Sequence, residues 1–243
     1  MQLKQFIECS FFVPRTGSKR EQWVAQQLKN IPRGKKILDA GAGECQYAKY
    51  CRHLKYTSQD FNKYDGSGDT KGVQTGTRDV SNITIVSDIV DIPVKSGSFD
   101  AVLCIEVFEH IPRPLDALKE LSRVLKKNGT LILTSPFGSI THYSPYYFYS
   151  GFSPEFYKVN LPLYGFTIRK HYRYGNYFEH IALELLRSPL IMWRINKIRS
   201  IPFIIAYILT LPVYALFMAL ARYFPESESY YHFTNCIVAE KTS

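Results

Sequence analysis

Apolar positions along this chain alternate between short continuous runs and stretches spaced by three and four residues. Continuous runs of strand length suit strands buried on both faces, and the wider spacing suits amphipathic helices. Lys19 to Asn30 places Trp23, Val24 and Leu28, with Ile31 beyond, on one side and reads as a helix. Lys35 to Ala40 reads as a buried strand stopped by glycines, and Cys45 to Leu54 as the helix after it. Tyr56 to Phe61 and Ile83 to Ser87 are the next strands, separated by a polar stretch from Asn62 to Asn82. Gly66, Gly68, Gly72 and Gly76 make that stretch a surface loop. Phe99 to Ile105 is a central strand, Pro114 to Lys127 a helix (Leu115, Leu118, Leu121, Val124, Leu125), and Thr130 to Ser135 a further strand. Ser153 caps a helix reaching Leu161, with Pro154 at its first position. Phe166 to Tyr174 and Phe233 to Glu240 read as the last two strands. Strand and helix alternate over residues 35–135, which predicts a doubly wound α/β sheet.

Composition changes that picture little. The 243 residues are 46% hydrophobic and 21% charged, which suits a folded chain rather than a disordered one. A net charge of +9 points to an anionic neighbour such as nucleic acid, an acidic membrane face or a phosphate-bearing substrate. The five cysteines (Cys9, Cys45, Cys51, Cys104, Cys236) form no CxxC pair and have no histidines beside them. Reduced, mostly buried thiols in a cytosolic protein are expected, with no metal ligands assigned. The N-terminus lacks the long apolar segment of a signal peptide.

The chemistry gathers where strands end. A parallel sheet binds ligands beyond the carboxyl ends of its strands, and glycines there let the backbone come close. Gly41 and Gly43 follow the first strand, with the helix start expected to face the ligand. A dinucleotide fingerprint would need a third glycine where Gln46 stands, and a pyrophosphate would be repelled by the Asp39 carboxylate. A cationic ligand amine would suit Asp39. Asp60 ends the second strand, where a carboxylate can accept both hydroxyls of a ribose. Asp88 follows the third strand and can accept from an adenine amino group.

Five pieces together resemble the class I S-adenosylmethionine-dependent methyltransferases, especially the type 11 group. They are Ile37-Leu38-Asp39-Ala40-Gly41-Ala42-Gly43, Ser87-Asp88-Ile89, Ser98-Phe99-Asp100-Ala101-Val102, Glu106-Val107-Phe108-Glu109-His110-Ile111, and Arg123 to Gly129. A narrower likeness, through Pro136-Phe137-Gly138, His142 and Pro145 to Ser153, is to a subgroup associated with bacterial glycan biosynthesis. The resemblance implies a Rossmann-like seven-stranded sheet of order 3-2-1-4-5-7-6 with the last strand antiparallel. It implies that S-adenosylmethionine is held by Asp39, Ala40 and Gly41 with Gly43 at its methionine end. Asp60 with Phe61 would hold the ribose, Asp88 with the Ile89 backbone the adenine, and Glu106 would line the methionine pocket. Cys45 stands where the pattern has a third glycine, one turn into the expected helix.

Methylating a hydroxyl requires a base. His142 is the candidate, in the loop after the fifth strand, and His110 reads as structural. Of the aromatic residues Tyr143, Tyr146, Tyr147, Phe148 and Tyr149, at least half are expected in the core.

From Ser200 to Ala221 no residue is charged, and Arg194, Lys197 and Arg199 precede the run. That length could span a bilayer core of about 30 Å, and Pro212 should kink the helix. The last strand must rejoin the sheet, so a single crossing is excluded. An in-plane membrane helix, a re-entrant hairpin and a lid packed on protein or on a second copy stay open, with Glu179 to Ile198 as a second amphipathic element. Residues 1–175 and 230–243 are expected to form the methyltransferase domain and 176–229 the apolar insertion.

The expected protein faces the cytoplasm, peripheral on an anionic membrane through residues 194–222, and O-methylates a small or lipid-linked glycan-type acceptor. Methylation of RNA or protein, and a non-catalytic cofactor-binding scaffold, are the alternatives. The absence of an Asn/Asp-Pro-Pro-Tyr-like motif and of an RNA-binding module makes nucleic acid the weaker partner.

Overall fold

The computed structural model describes residues 16–196 and 201–242, so Cys9, Lys197 and Arg199 lie outside the described residues. The chain falls into two compact units, a larger one of Arg20–Arg173 with the C-terminal strand and a smaller one built on Tyr174–Phe233.

The larger unit carries a seven-stranded sheet of order β3-β2-β1-β4-β5-β7-β6. Its strands are β1 (Lys36–Ala40), β2 (Lys55–Asp60), β3 (Ile85–Val86), β4 (Phe99–Ile105), β5 (Leu125–Pro136), β6 (Phe166–Tyr174) and β7 (Thr234–Lys241). β1 pairs in parallel with β2 and β4, and β4 with β5, whereas β7 runs antiparallel to β5. Successive side chains of a strand point to opposite faces, so every central strand feeds two cores. On one face Leu38, Val102 and Leu131 pack with Leu118, Leu121 and Val124 of α2 (Pro114–Val124) and with Tyr157 and Leu161 of α3 (Pro154–Leu163). On the other, Ile37, Ala101, Leu103 and Ile132 pack with Val24 and Leu28 of α1 (Thr16–Lys29). Ser153 caps α3 by accepting from Phe156 N, as expected from Ser-Pro at a helix start.

Four expectations are corrected. No α-helix forms over Cys45 to Leu54; a 3-10 turn at Ala48–Tyr50 stands there alone. Gly41, Gly43 and Cys45 have φ of 75°, 53° and 55°, and alternate left-handed residues cannot start a right-handed helix. Cys45 therefore sits in the turn, in a conformation that suits glycine, and no α-helix starts at the glycine turn. The third strand shrinks to Ile85–Val86 because Ser58 Oγ, rather than a backbone carbonyl, takes the Thr84 N–H at 2.9 Å. Lys126 and Lys127 leave the helix for β5, since Leu125 pairs with Phe99 and Lys126 Nζ meets Asp100 Oδ1 at 2.8 Å. Leu115, counted on the apolar face, is exposed.

In the smaller unit α4 (Tyr177–Asn196) packs on α5 (Ile201–Tyr223). Asn176 caps α4 by accepting from Glu179 N at 3.0 Å, and its amide donates to Ala221 O at 2.8 Å. Phe178 lies against Phe217 and Phe224, at 6.2 and 5.8 Å between ring centres. α5 continues through Pro212 as one helix. Ile205–Tyr223 has a mean hydropathy of 1.7 and is long enough to cross a membrane by length and composition, with almost none of it buried.

Candidate functional site

At the carboxyl ends of β1, β2 and β4 lies a cavity of about 270 Å³. Gly41, Asp60, Phe61, Asp88, Ile89 and Glu106, six of the residues expected to hold the cofactor, line it together. Asp39, Ala40 and Gly43 do not line it.

The glycine turn is fixed by β2. The N–H groups of Gly41 and Ala42 both donate to Gln59 O, at 2.8 and 2.9 Å, and Gly43 N donates to Asp60 Oδ2 at 2.9 Å. The second Asp60 oxygen accepts from Asn62 N at 2.9 Å. Asp60 is thereby pinned, almost fully buried, with its carboxylate at the cavity edge. The Asp88–Ile89 corner is held from α2: Glu120 accepts from Ile92 N at 2.7 Å, and Arg123 donates to Ile92 O and Val94 O. The Arg123 in the quoted motif is thus a brace for the Asp88–Ile89 side of the cavity.

Glu106 follows β4 at φ 53°, a strained backbone for a non-glycine residue of the kind that gathers at functional sites. Its carboxylate accepts from Thr134 Oγ1 at 2.8 Å and pairs with Arg20 Nη1 at 3.1 Å. Burial is the largest influence and opposes the Arg20 charge, but Glu106, Tyr47 and Glu109 together outweigh it and hold the guanidinium firmly protonated. Arg20 was not legible as a site residue, because on sequence it is one more polar position of an amphipathic helix.

Asp39 is buried beside Tyr56, whose hydroxyl donates to it at 2.7 Å. Burial chiefly, and then Asp60, raise its pKa to about 7, against the Tyr56 bond. A carboxyl whose pKa folding raises above its usual ~4 keeps a proton that the unfolded chain releases. Stability therefore falls as pH rises from about 4 to 7. Asp39→Asn is expected to remove that loss, about 1.4 kcal/mol per pKa unit and up to a few kcal/mol. Urea midpoints at pH 5 and pH 8 check it: equal slopes in both proteins would refute the shift.

The loop over residues 62–82 docks on the segment after β5. Val73 N donates to Thr141 O and Tyr143 N to Val73 O, both at 3.0 Å, and Ser144 Oγ donates to Asp69 Oδ2 at 3.0 Å. It brings Tyr64 and Arg78 to the cavity, with the Arg78 guanidinium over the Tyr64 and Tyr143 rings. Neither residue carried a sequence signal, since the loop has no periodicity. The five aromatic residues of 143–149 are not core: none is fully buried, and Tyr143, Tyr146 and Phe148 line the cavity. Their segment follows β5 across the cavity mouth instead of covering the sheet, which corrects the expectation.

His142 does not line the cavity, but its ring meets that of His110, which does, at 4.8 Å. His110 Nδ1 donates to Tyr146 O at 2.6 Å and His142 Nδ1 to Ile140 O at 2.9 Å, because a carbonyl can only accept. Burial, then His142, lowers the His110 pKa to about 4; burial also lowers that of His142. Both rings are neutral at pH 7, with Nε2 as a lone pair. Beneath them Glu109 is buried, and burial followed by Glu106 drives its pKa well up.

The donor set fits S-adenosylmethionine. Buried Asp60 and exposed Asp88 offer acceptors to hydroxyls and an amino group at one part of the cavity, and Glu106 offers a carboxylate to an ammonium at another. Residues 38–133 match the family described as a methyltransferase domain. A ubiquinone biosynthesis O-methyltransferase from Xanthomonas campestris pv. campestris is 41% identical over 51 residues, 21% of each chain. A S-adenosylmethionine-dependent methyltransferase from Archaeoglobus fulgidus superposes with a TM-score of 0.52 at 16% identity, covering 91% of this chain and 94% of that one. Phosphoethanolamine N-methyltransferase 2 of Haemonchus contortus, solved with S-adenosylmethionine, gives 0.51 at 16% identity, covering 93% of this chain and 53% of the other. The chain matches about a fifth of the length of this curated relative.

Proposed function

We propose that this chain is a S-adenosylmethionine-dependent methyltransferase and that it methylates an oxygen of a small or lipid-linked acceptor, of glycan-intermediate type. The observation that carries this is the meeting of the Asp60–Glu106 cavity with two neutral imidazoles. The bound cofactor supplies an electrophilic methyl group on a sulfonium. The protein's part is to hold both partners in line and to ease the loss of the acceptor's proton. Asp60 and Phe61 would orient the ribose, Asp88 and the Ile89 backbone the adenine, and Glu106 the methionine ammonium. Asp39, away from the cavity surface, would act through the turn that it underlies. Tyr143, Tyr146 and Phe148 would wall the acceptor. The proton of an acceptor hydroxyl would leave at the Glu109–His110–His142 cluster.

His142→Ala is expected to lower turnover about 100-fold with unchanged cofactor affinity. Comparing extracts with and without the protein by mass spectrometry identifies the acceptor for that assay; full activity of the variant would remove His142 from the chemistry. Failure of the wild type to bind S-adenosylmethionine in a calorimeter would overturn the whole reading.

The apolar unit supports a peripheral seat on the cytoplasmic membrane face, with residues 194–222 as the contact and a lid or a second copy as competitors. Ile208 and Leu209 are 57% and 67% exposed, which leaves apolar side chains without cover. The triple substitution I208K/L209K/L216K is expected to abolish flotation with anionic vesicles. Flotation of the triple variant equal to wild type, or none by the wild type, would reject this seat.

A further inference from the structure

Among the described residues, one group offers three metal-ligating side chains at once, and the cofactor pocket does not account for it. Glu109, His110 and His142 each present a ligand atom within 4.8 Å of the others. Glu109 Oε1 stands 3.7 Å from His110 Nε2 and 4.0 Å from His142 Nε2. These gaps are too long for hydrogen bonds. Glu109 Oε2, fully buried, meets no hydrogen-bond partner. A buried, unpartnered carboxyl oxygen is costly, and a bound ion is one way in which a fold satisfies it.

The imidazoles are set in the same sense. Each gives its Nδ1–H to a backbone carbonyl, Tyr146 O or Ile140 O, which fixes the tautomer and ring orientation and turns the Nε2 lone pair toward Glu109. Metal-bound histidines are held by this kind of outer bond. The residues come from two segments, the 3-10 turn Phe108–His110 after β4 and the stretch that pairs with Val73. That stretch is itself tied to Glu109, whose carbonyl accepts from Phe148 N at 2.9 Å.

We propose that Glu109, His110 and His142 bind one divalent transition-metal cation, such as Mn²⁺, Co²⁺ or Zn²⁺, with its remaining positions open to the cavity. Two imidazoles and a carboxylate form a mixed N/O set that suits these ions, not the all-oxygen set of Ca²⁺ or Mg²⁺. Bonds of ~2.0–2.3 Å require only a small inward closure of the three side chains. His110 lines the cavity beside Tyr143 and Tyr146, so an open position faces the place assigned to the acceptor.

The role of the cation rests on the methyl-transfer reading, and its binding does not. The cation takes the acceptor's hydroxyl oxygen as a ligand and lowers its pKa, so the proton passes to water. The oxygen then forms the C–O bond as the methyl C–S bond breaks; the sulfonium leaves as a neutral thioether. In this arrangement His142 is a ligand and not a free base.

The test uses the full chain stripped with chelator and titrated with Co²⁺, followed by its visible absorption, with S-adenosylmethionine calorimetry on the same samples. One equivalent of Co²⁺ is expected to bind to wild type. Glu109→Gln and His142→Ala are expected to weaken it ~100-fold while cofactor affinity holds. His171→Ala, on β6, should bind Co²⁺ like wild type. No stoichiometric binding by wild type, or wild-type binding by both cluster variants, overturns the cation site and leaves the methyltransferase reading standing. Cation binding without cofactor binding supports the site and overturns its role in methyl transfer.

Discussion

Asp60→Ala is expected to weaken S-adenosylmethionine binding about 100-fold, a loss of ~2.7 kcal/mol. Two effects combine. Asp60 is 5% exposed and accepts from Gly43 N and Asn62 N, so truncation leaves two backbone donors without partners. Each such loss costs roughly 1–3 kcal/mol where water cannot enter. The same carboxylate would also hold the ribose hydroxyls, and its removal takes that contact away. Asp60→Asn keeps one acceptor oxygen but puts a donor against a donor, so a loss of about 10-fold is expected. Calorimetric titration reads both. An unchanged affinity in Asp60→Ala would remove Asp60 from the cofactor site and leave it as a brace for the glycine turn.

The second large effect falls on stability. Gly41 has φ 75°, and a Cβ built there would lie 2.5 Å from Val107 Cγ2. The left-handed conformation costs an alanine roughly 1–2 kcal/mol, and the contact forces Val107 to move at a further cost of about 1–3 kcal/mol. Gly41→Ala is therefore expected to destabilise the sheet unit by ~2–5 kcal/mol, a fall in Tm of roughly 5–20 °C for a domain of this size. The double variant Gly41→Ala/Val107→Ala separates the two costs. It removes the contact and keeps the strained backbone, so, after the Val107→Ala single variant is subtracted, part of the loss should return. A thermal melt of Gly41→Ala coincident with wild type would show that neither cost is real.

Much of the sheet could be read because its strands are buried on both faces. Phe99–Ile105 and Phe166–Tyr174 carry the boundaries expected of them, and Ser153-Pro154 opens its helix as the local capping chemistry dictates. Edge and junction positions were less legible. β3 is short because a side chain, Ser58, replaces a ladder bond, and the helix over Pro114 to Lys127 stops early because Leu125 pairs with a distant strand. In both places a long-range contact overrode local propensity.

The candidate site divides in the same way. By itself the sequence determined the alternation of strand and helix around the glycine turn and placed the carboxylates Asp60 and Asp88 at strand ends, whereas the strand order and the place of Glu106 came through the resemblance to methyltransferases. Strand ends and sequence order are enough to place the two aspartates, since a parallel sheet collects its carboxyl ends at one edge. Only the tertiary structure decided that Asp39 is buried against Tyr56, that Arg20 pairs with Glu106, and that Tyr64 and Arg78 reach the cavity from an aperiodic loop. It also decided that Glu109 and His110 meet His142, more than thirty positions along the chain. The physical reason is loop closure: residues far apart in sequence meet where hydrogen bonds such as Val73 to Thr141 fold two irregular segments together, and no local pattern encodes that encounter.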